Sequence, residues 1–148
     1  MIIQLTTENV VDYWETIKYA VMQAHPEDVE AKRARYLRGV LVSLLTNMSQ
    51  CWFVLSEDRD IKAVLLTRKE LDPDSGLPFL LVNLAFGFAP TSKEDKIEFM
   101  DKISVLAKNM GCDMIRAYTL NQMAANAMGK MGMDLVAWVY SKEVSNGI

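Results

Sequence analysis

Phe79-Leu80-Leu81-Val82-Asn83-Leu84-Ala85-Phe86-Gly87-Phe88 is a long apolar run that Ala89-Pro90 brings to a stop. Such a run, bounded by turn residues, reads as a central strand buried on both faces, with Gly87 marking a bulge or a close backbone approach. Beyond it, Ser92 and Asp95 have the spacing of a helix-capping pair. Ile97, Met100, Ile103, Leu106, Ala107 and Met110 then recur at helical spacing, and Gly111 supplies the stop. Met114 to Thr119 reads as the next strand. A helix crossing between these two strands makes them parallel neighbours with a right-handed connection.

Working outward, Asp72-Pro73-Asp74-Ser75-Gly76 is a loop. Before it, Cys51–Leu55 and Ile61–Thr67 are strand-like and flank the polar turn Ser56–Asp60, the pattern of a hairpin. Two helices precede the hairpin. Thr6 and Thr7 can cap the first, whose stripe is Val10, Tyr13, Trp14, Ile17 and Val21. Pro26 ends it and opens the second, with Glu27 and Asp28 at the positive end of its dipole. Leu37, Val40, Leu41, Leu44, Leu45 and Met48 form the second stripe. Met1–Leu5 is an opening strand, Asn121–Met131 a short helix and Leu135–Tyr140 a last strand. The order β-α-α-β-β-β-α-β-α-β describes an α/β (α+β) chain, expected to form a single domain over residues 1–148.

Composition narrows the function classes. At 51% hydrophobic and 24% charged, the chain is globular rather than disordered. No apolar run reaches the roughly 18–20 residues of a membrane helix, and Met1-Ile2-Ile3-Gln4-Leu5-Thr6 lacks a basic flank and a cleavable stretch, so the cytoplasm is the expected location. A net charge of -3 disfavours general nucleic-acid binding. Two cysteines without a CxxC pair, and one histidine, argue against a metal site. Ten methionines fit a plastic core first and an adaptable binding surface second.

The order of elements, with one local motif, resembles the GNAT superfamily of N-acetyltransferases. The family commonly ends on an Asn, then an Ala, an aromatic residue that is often Tyr, and Lys, Gly and Phe. Asn121, Ala124, Met128, Lys130, Gly132 and Met133 occupy those places at the family's spacing. The resemblance spans nearly the whole chain and implies a mixed, mostly antiparallel central sheet with helices on both faces. It also implies acetyl-CoA as the acyl donor, held between a splayed fourth and fifth strand, and an amine, small molecule or protein, as acceptor. Main-chain N–H groups around Phe86, Gly87 and Phe88 would polarise the thioester carbonyl, and Asn121 would contact the pantetheine arm.

The sequence departs from the family at two places. Relatives follow their fourth strand with a glycine-rich loop whose amides hold the coenzyme A pyrophosphate. Here Thr91-Ser92-Lys93-Glu94-Asp95-Lys96-Ile97-Glu98 crosses that position, with Lys93 near the family's basic residue and Glu94, Lys96 and Glu98 where glycines would stand. Many relatives protonate the leaving thiolate with the motif's Tyr, whereas Met128 cannot donate a proton. Tyr118 and Tyr140 are substitutes at the ends of flanking strands, each also a natural core or rim residue. Asn83 is not a base but could position a water. His25 is a base by chemistry, yet beside Pro26 it reads as a surface residue.

Lys32, Arg33, Arg35 and Arg38 form either a patch for an anionic partner or, more simply, a solvated helix face balanced by Glu27, Asp28 and Glu30. Trp52, Phe53 and Trp138 read as core. Met123, Met128, Met131 and Met133 either pack a short helix or line an acyl channel. Two functions follow: a divergent acetyl-CoA-dependent N-acyltransferase, or a non-catalytic binding or assembly module on the same fold, such as a phage component. A homo-oligomer is compatible with either.

Overall fold

The computed structural model describes residues 1–27, 29–118, 122–135, 142 and 144. Two compact units are distinguished, Met1–Tyr118 and Thr119–Ile148. The first holds a five-stranded sheet in the order β1-β2-β3-β4-β5: β1 is Ile2–Gln4, β2 Ser49–Leu55, β3 Ile61–Leu71, β4 Pro78–Gly87 and β5 Met114–Ala117. All pairings are antiparallel except β4 with β5. The mixed, mostly antiparallel α/β architecture expected from the sequence is the one observed.

One sheet face is covered by α1 (Thr7–Asp12), α2 (Trp14–Ala24) and α3 (Glu30–Leu45). Val10, Ile17, Ala20 and Val21 pack there on Phe53, Val64, Leu66 and Leu84. The opposite face is covered by α4 (Lys93–Asn109), whose Phe99, Ile103 and Ala107 pack on Ile2, Trp52, Val54 and Leu80. Helices therefore lie on both faces, as the two-layer burial of a central sheet requires. In the second unit, α5 (Gln122–Lys130) ends at Gly132, whose φ of 83° is the left-handed stop of a helix.

Several local expectations are corrected. The first helix is two: Tyr13 breaks the helical geometry between α1 and α2, and its ring packs edge-on against Phe53 at 5.4 Å. The second begins at Glu30 rather than Pro26, because the Glu27 carboxylate accepts the Val29 N–H at 3.1 Å and draws the chain into a turn. Leu45 and Met48 are exposed, since α3 meets the sheet through Leu44 and Asn47 then turns the chain at a φ of 59°. On α4, Ile97 is exposed while Phe99 takes the core place, edge-on to Trp52 at 6.0 Å. Of the last expected strand, only Leu135 is described, and it is exposed and irregular; 136–140, with Trp138, lie outside the described residues. Cys51 and Cys112 are free and buried, and burial pushes the Cys51 thiol up to about 12.

The bulge is not at Gly87. The β3–β4 register runs Leu66↔Leu84 and then Thr67↔Val82, so Asn83 is the extra residue. A buried relay marks the place. Trp52 Nε1 donates to Thr67 Oγ1 at 3.0 Å, and Thr67 Oγ1 donates to Gln50 Oε1 at 2.9 Å. With Thr67 fully buried and both its hydroxyl roles used, β3 has one satisfied position here, and β4 absorbs the mismatch.

Candidate active site at the β4–β5 split

The parallel ladder runs from Phe79↔Met114 to Val82↔Ala117 and stops there. Burial along β4 changes at the same point. Phe79, Leu80 and Leu81 are buried, whereas Asn83, Ala85 and Gly87 are exposed. The strand is thus covered on both faces only in its first half, contrary to the sequence expectation. The β5 ladder ends one residue before the bulge at Asn83, and the second half of β4 presents a free edge among the described residues.

Which amides face that edge follows from the ladder. Phe88 N–H donates to Lys62 O at 2.7 Å, so that pair is hydrogen-bonded. Alternation along an antiparallel pair then makes Gly87↔Ala63 non-bonded, Phe86↔Val64 bonded and Ala85↔Leu65 non-bonded. The N–H groups of Phe86 and Phe88 are spent on β3. Those of Ala85 and Gly87 point the other way, to the side of β4 on which the β5 ladder has ended. Among Phe86, Gly87 and Phe88, only Gly87 therefore offers a main-chain donor, and Ala85 is the donor that sequence reasoning missed. Only pairing with β3 could have revealed it.

Past the edge, Ala89 N–H also donates to Lys62 O, at 3.1 Å, and the chain enters α4 through Ser92. The capping box forms as the spacing implied: Asp95 N–H donates to Ser92 Oγ and Ser92 N–H to Asp95 Oδ2, each at 3.0 Å. Lys62 Nζ donates to the same carboxylate oxygen at 2.6 Å, and the N-terminal amine is 3.9 Å from Oδ1. The Lys62 bond and the Ser92 amide hold the Asp95 carboxyl at about 2. Much of the helix's positive end is thus answered by its own aspartate. The amides of Lys93 and Glu94 remain without a hydrogen bond among the described residues, and Lys93 is exposed beside them.

On the α1–α3 face of the same strand, Phe86 and Phe88 pack edge-on at 5.1 Å. Tyr19 of α2 closes on both, edge-on to Phe86 at 6.1 Å and stacked on Phe88 at 5.9 Å. Tyr19 also lines an open cleft of about 440 Å³ with Glu15, Lys18, Met22, Arg33 and Leu37.

The remaining expected site residues divide as follows. Asn83 and Tyr118 each directly follow a member of the last ladder pair, Val82↔Ala117. Both are exposed. Asn121 and Tyr140 lie outside the described residues. His25 is a surface residue whose ring lies 4.8 Å from that of Tyr36. Among the described residues no cluster of His, Cys, Asp and Glu could hold a metal, and no helix is long and apolar enough to cross a membrane.

No model of a protein family matches the sequence, nor does any curated protein. Solved structures do match in fold. The aminoglycoside N-acetyltransferase AAC(6')-Iy, in complex with a CoA-containing bisubstrate analogue, superposes with a TM-score of 0.71 at 12% identity, over 98% of this chain and 97% of that one. AAC(6')-Ih from Acinetobacter baumannii gives 0.67 at 13% identity over 99% of each chain. A predicted acetyltransferase from Clostridium acetobutylicum, with acetyl-CoA, gives 0.69 at 14% identity over 96% and 95%. With TM-scores of 0.67–0.71 and near-complete coverage of solved acetyltransferases, this chain has the GNAT acetyltransferase fold.

Proposed function

We propose that the chain transfers an acetyl group from acetyl-CoA to an amine. The observation that carries this reading is the edge of β4, where the N–H groups of Ala85 and Gly87 face away from β3 and have no partner among the described residues, past the end of the β5 ladder at Val82↔Ala117. A pantetheine arm carries amides of its own and can add to such an edge as a strand does. The diphosphate end fits less generously. Its ligands would be the Lys93 side chain and the amides of Lys93 and Glu94, since Asp95 occupies the rest of the helix start.

Acetyl-CoA supplies an activated acyl carbon and a thiol leaving group. The overall change forms one N–C bond and breaks one C–S bond, and the proton lost by the amine ends on the thiol. Gly87 or Ala85 N–H polarises the acyl oxygen, as an oxyanion hole does. Tyr118, directly after the last ladder pair, delivers the proton to the departing sulfur in place of the family's tyrosine. Asn83 orients a water that takes the proton from the amine.

Titration calorimetry with acetyl-CoA, followed by a free-thiol assay with an amine panel, tests this reading. Heat of binding and amine-dependent thiol release support it. A folded sample that gives no heat at millimolar acetyl-CoA removes it. The second reading, a binding or assembly module without catalysis, is favoured by the Lys62–Asp95 pair at the anion corner. Recovery of the protein from its host in a stable complex supports that alternative, and a free monomer counts against it.

A further inference from the structure

We propose that the amine acceptor also carries a carboxylate, as an amino acid with an apolar body does, and that Arg33 binds that carboxylate. The inference rests on the acetyl-transfer reading for what happens to the amine, but the binding it describes stands by itself.

The cleft between α2 and α3 sets the chemistry. Tyr19, Met22 and Leu37 give it an apolar wall, and its polar lining is Glu15, Lys18 and Arg33. Glu15 and Lys18 answer each other at 3.0 Å. Arg33 is the uncompensated charge: its guanidinium makes no hydrogen bond or ion pair among the described residues. Its neighbours Lys32, Arg35 and Arg38 are exposed and solvated, whereas Arg33 is half-buried in the cleft. A guanidinium partly withdrawn from water gains most from an anion with two oxygens in one plane, and a carboxylate matches its fork.

One unpaired guanidinium suits a singly charged carboxylate, whereas a phosphate dianion calls for further positive charge. The excess positive charge also works against a polycationic amine. Tyr19 links this cleft to the chemistry, because the same ring touches Phe86 and Phe88 on the strand with the free edge. A ligand anchored at Arg33 and lying along Tyr19 directs its other end toward the split.

The test is calorimetry without acetyl-CoA on matched probes, L-phenylalanine against phenethylamine and 6-aminohexanoate against hexylamine. In at least one pair the carboxylate-bearing member should bind tenfold or more tightly. That preference should vanish in Arg33→Ala and shrink in Arg33→Lys, which keeps the charge but loses the fork. Circular dichroism verifies that each variant is folded. Equal binding within both pairs, a preference that survives Arg33→Ala, or tighter binding of a polycationic aminoglycoside overturns the assignment. Because no acyl donor is present, failure here is distinct from failure to bind acetyl-CoA.

Discussion

Lys62 Nζ lies 2.6 Å from Asp95 Oδ2, joining the start of β3 to the first turn of α4. The same Lys62 carbonyl accepts from Phe88 and Ala89, so one residue ties down both sides of the β4–α4 corner. Asp95 in turn completes the cap on Ser92. Replacing Asp95 with Ala is expected to cost about 1–2 kcal/mol at neutral pH, from the lost cap and a mostly shielded ion pair. The pH dependence has a definite sign. Asp95 is held at about 2 in the folded chain, against about 3.9 when unfolded. Its contribution is therefore full above the unfolded value and lost as pH falls through the folded one. Urea midpoints of wild type and Asp95→Asn should converge between about pH 4 and pH 2; a constant gap would refute the assignment.

Thr67→Val tests the bulge. Valine keeps the shape but strands Trp52 Nε1–H and Gln50 Oε1, whose partner is the Thr67 hydroxyl. The expected loss is about 1–3 kcal/mol. Faster amide exchange at Leu84 and Phe86 should accompany it, because the register on both sides of Asn83 depends on that fixed point. A neutral substitution would mean that the relay does not hold the bulge.

Much of this fold is legible in the sequence because it depends on local spacing. Ile17, Ala20 and Val21 declare a helix face, Ser92 and Asp95 declare a helix start, and Gly111 a helix end with a φ of 75°. What is not legible depends on a partner distant in sequence. Asn83 is one residue in an apolar run until the β3 register shows it to be the extra one. Ala85 has no distinctive chemistry until pairing decides which way its N–H points. Arg33 is one of four basic residues on α3, and only the cleft it lines with residues of α2 separates it from the solvated others. The Tyr13 break is likewise set by a contact with Phe53.

At the anion corner, charge should govern acetyl-CoA affinity. Lys93→Ala is expected to weaken binding about threefold to tenfold, and Glu94→Gln to strengthen it by a similar factor, both effects shrinking as salt rises. Calorimetry at two ionic strengths reads this directly. Unchanged affinity in both variants would place the diphosphate elsewhere.

Tyr118→Phe removes only the phenolic hydroxyl at an exposed position. If that hydroxyl protonates the leaving sulfur, kcat should fall about 100-fold while acetyl-CoA affinity holds. A variant with full turnover would return the role to another group.

The most direct measurement concerns the free edge itself. Ala85→Pro deletes an N–H that makes no bond to β3, so the β3–β4 ladder should survive, with a urea midpoint close to wild type. Acetyl-CoA affinity, measured by calorimetry on this folded variant, should drop at least tenfold. A stable Ala85→Pro protein that binds acetyl-CoA as tightly as the wild type would contradict the assignment of the β4 edge as the donor site.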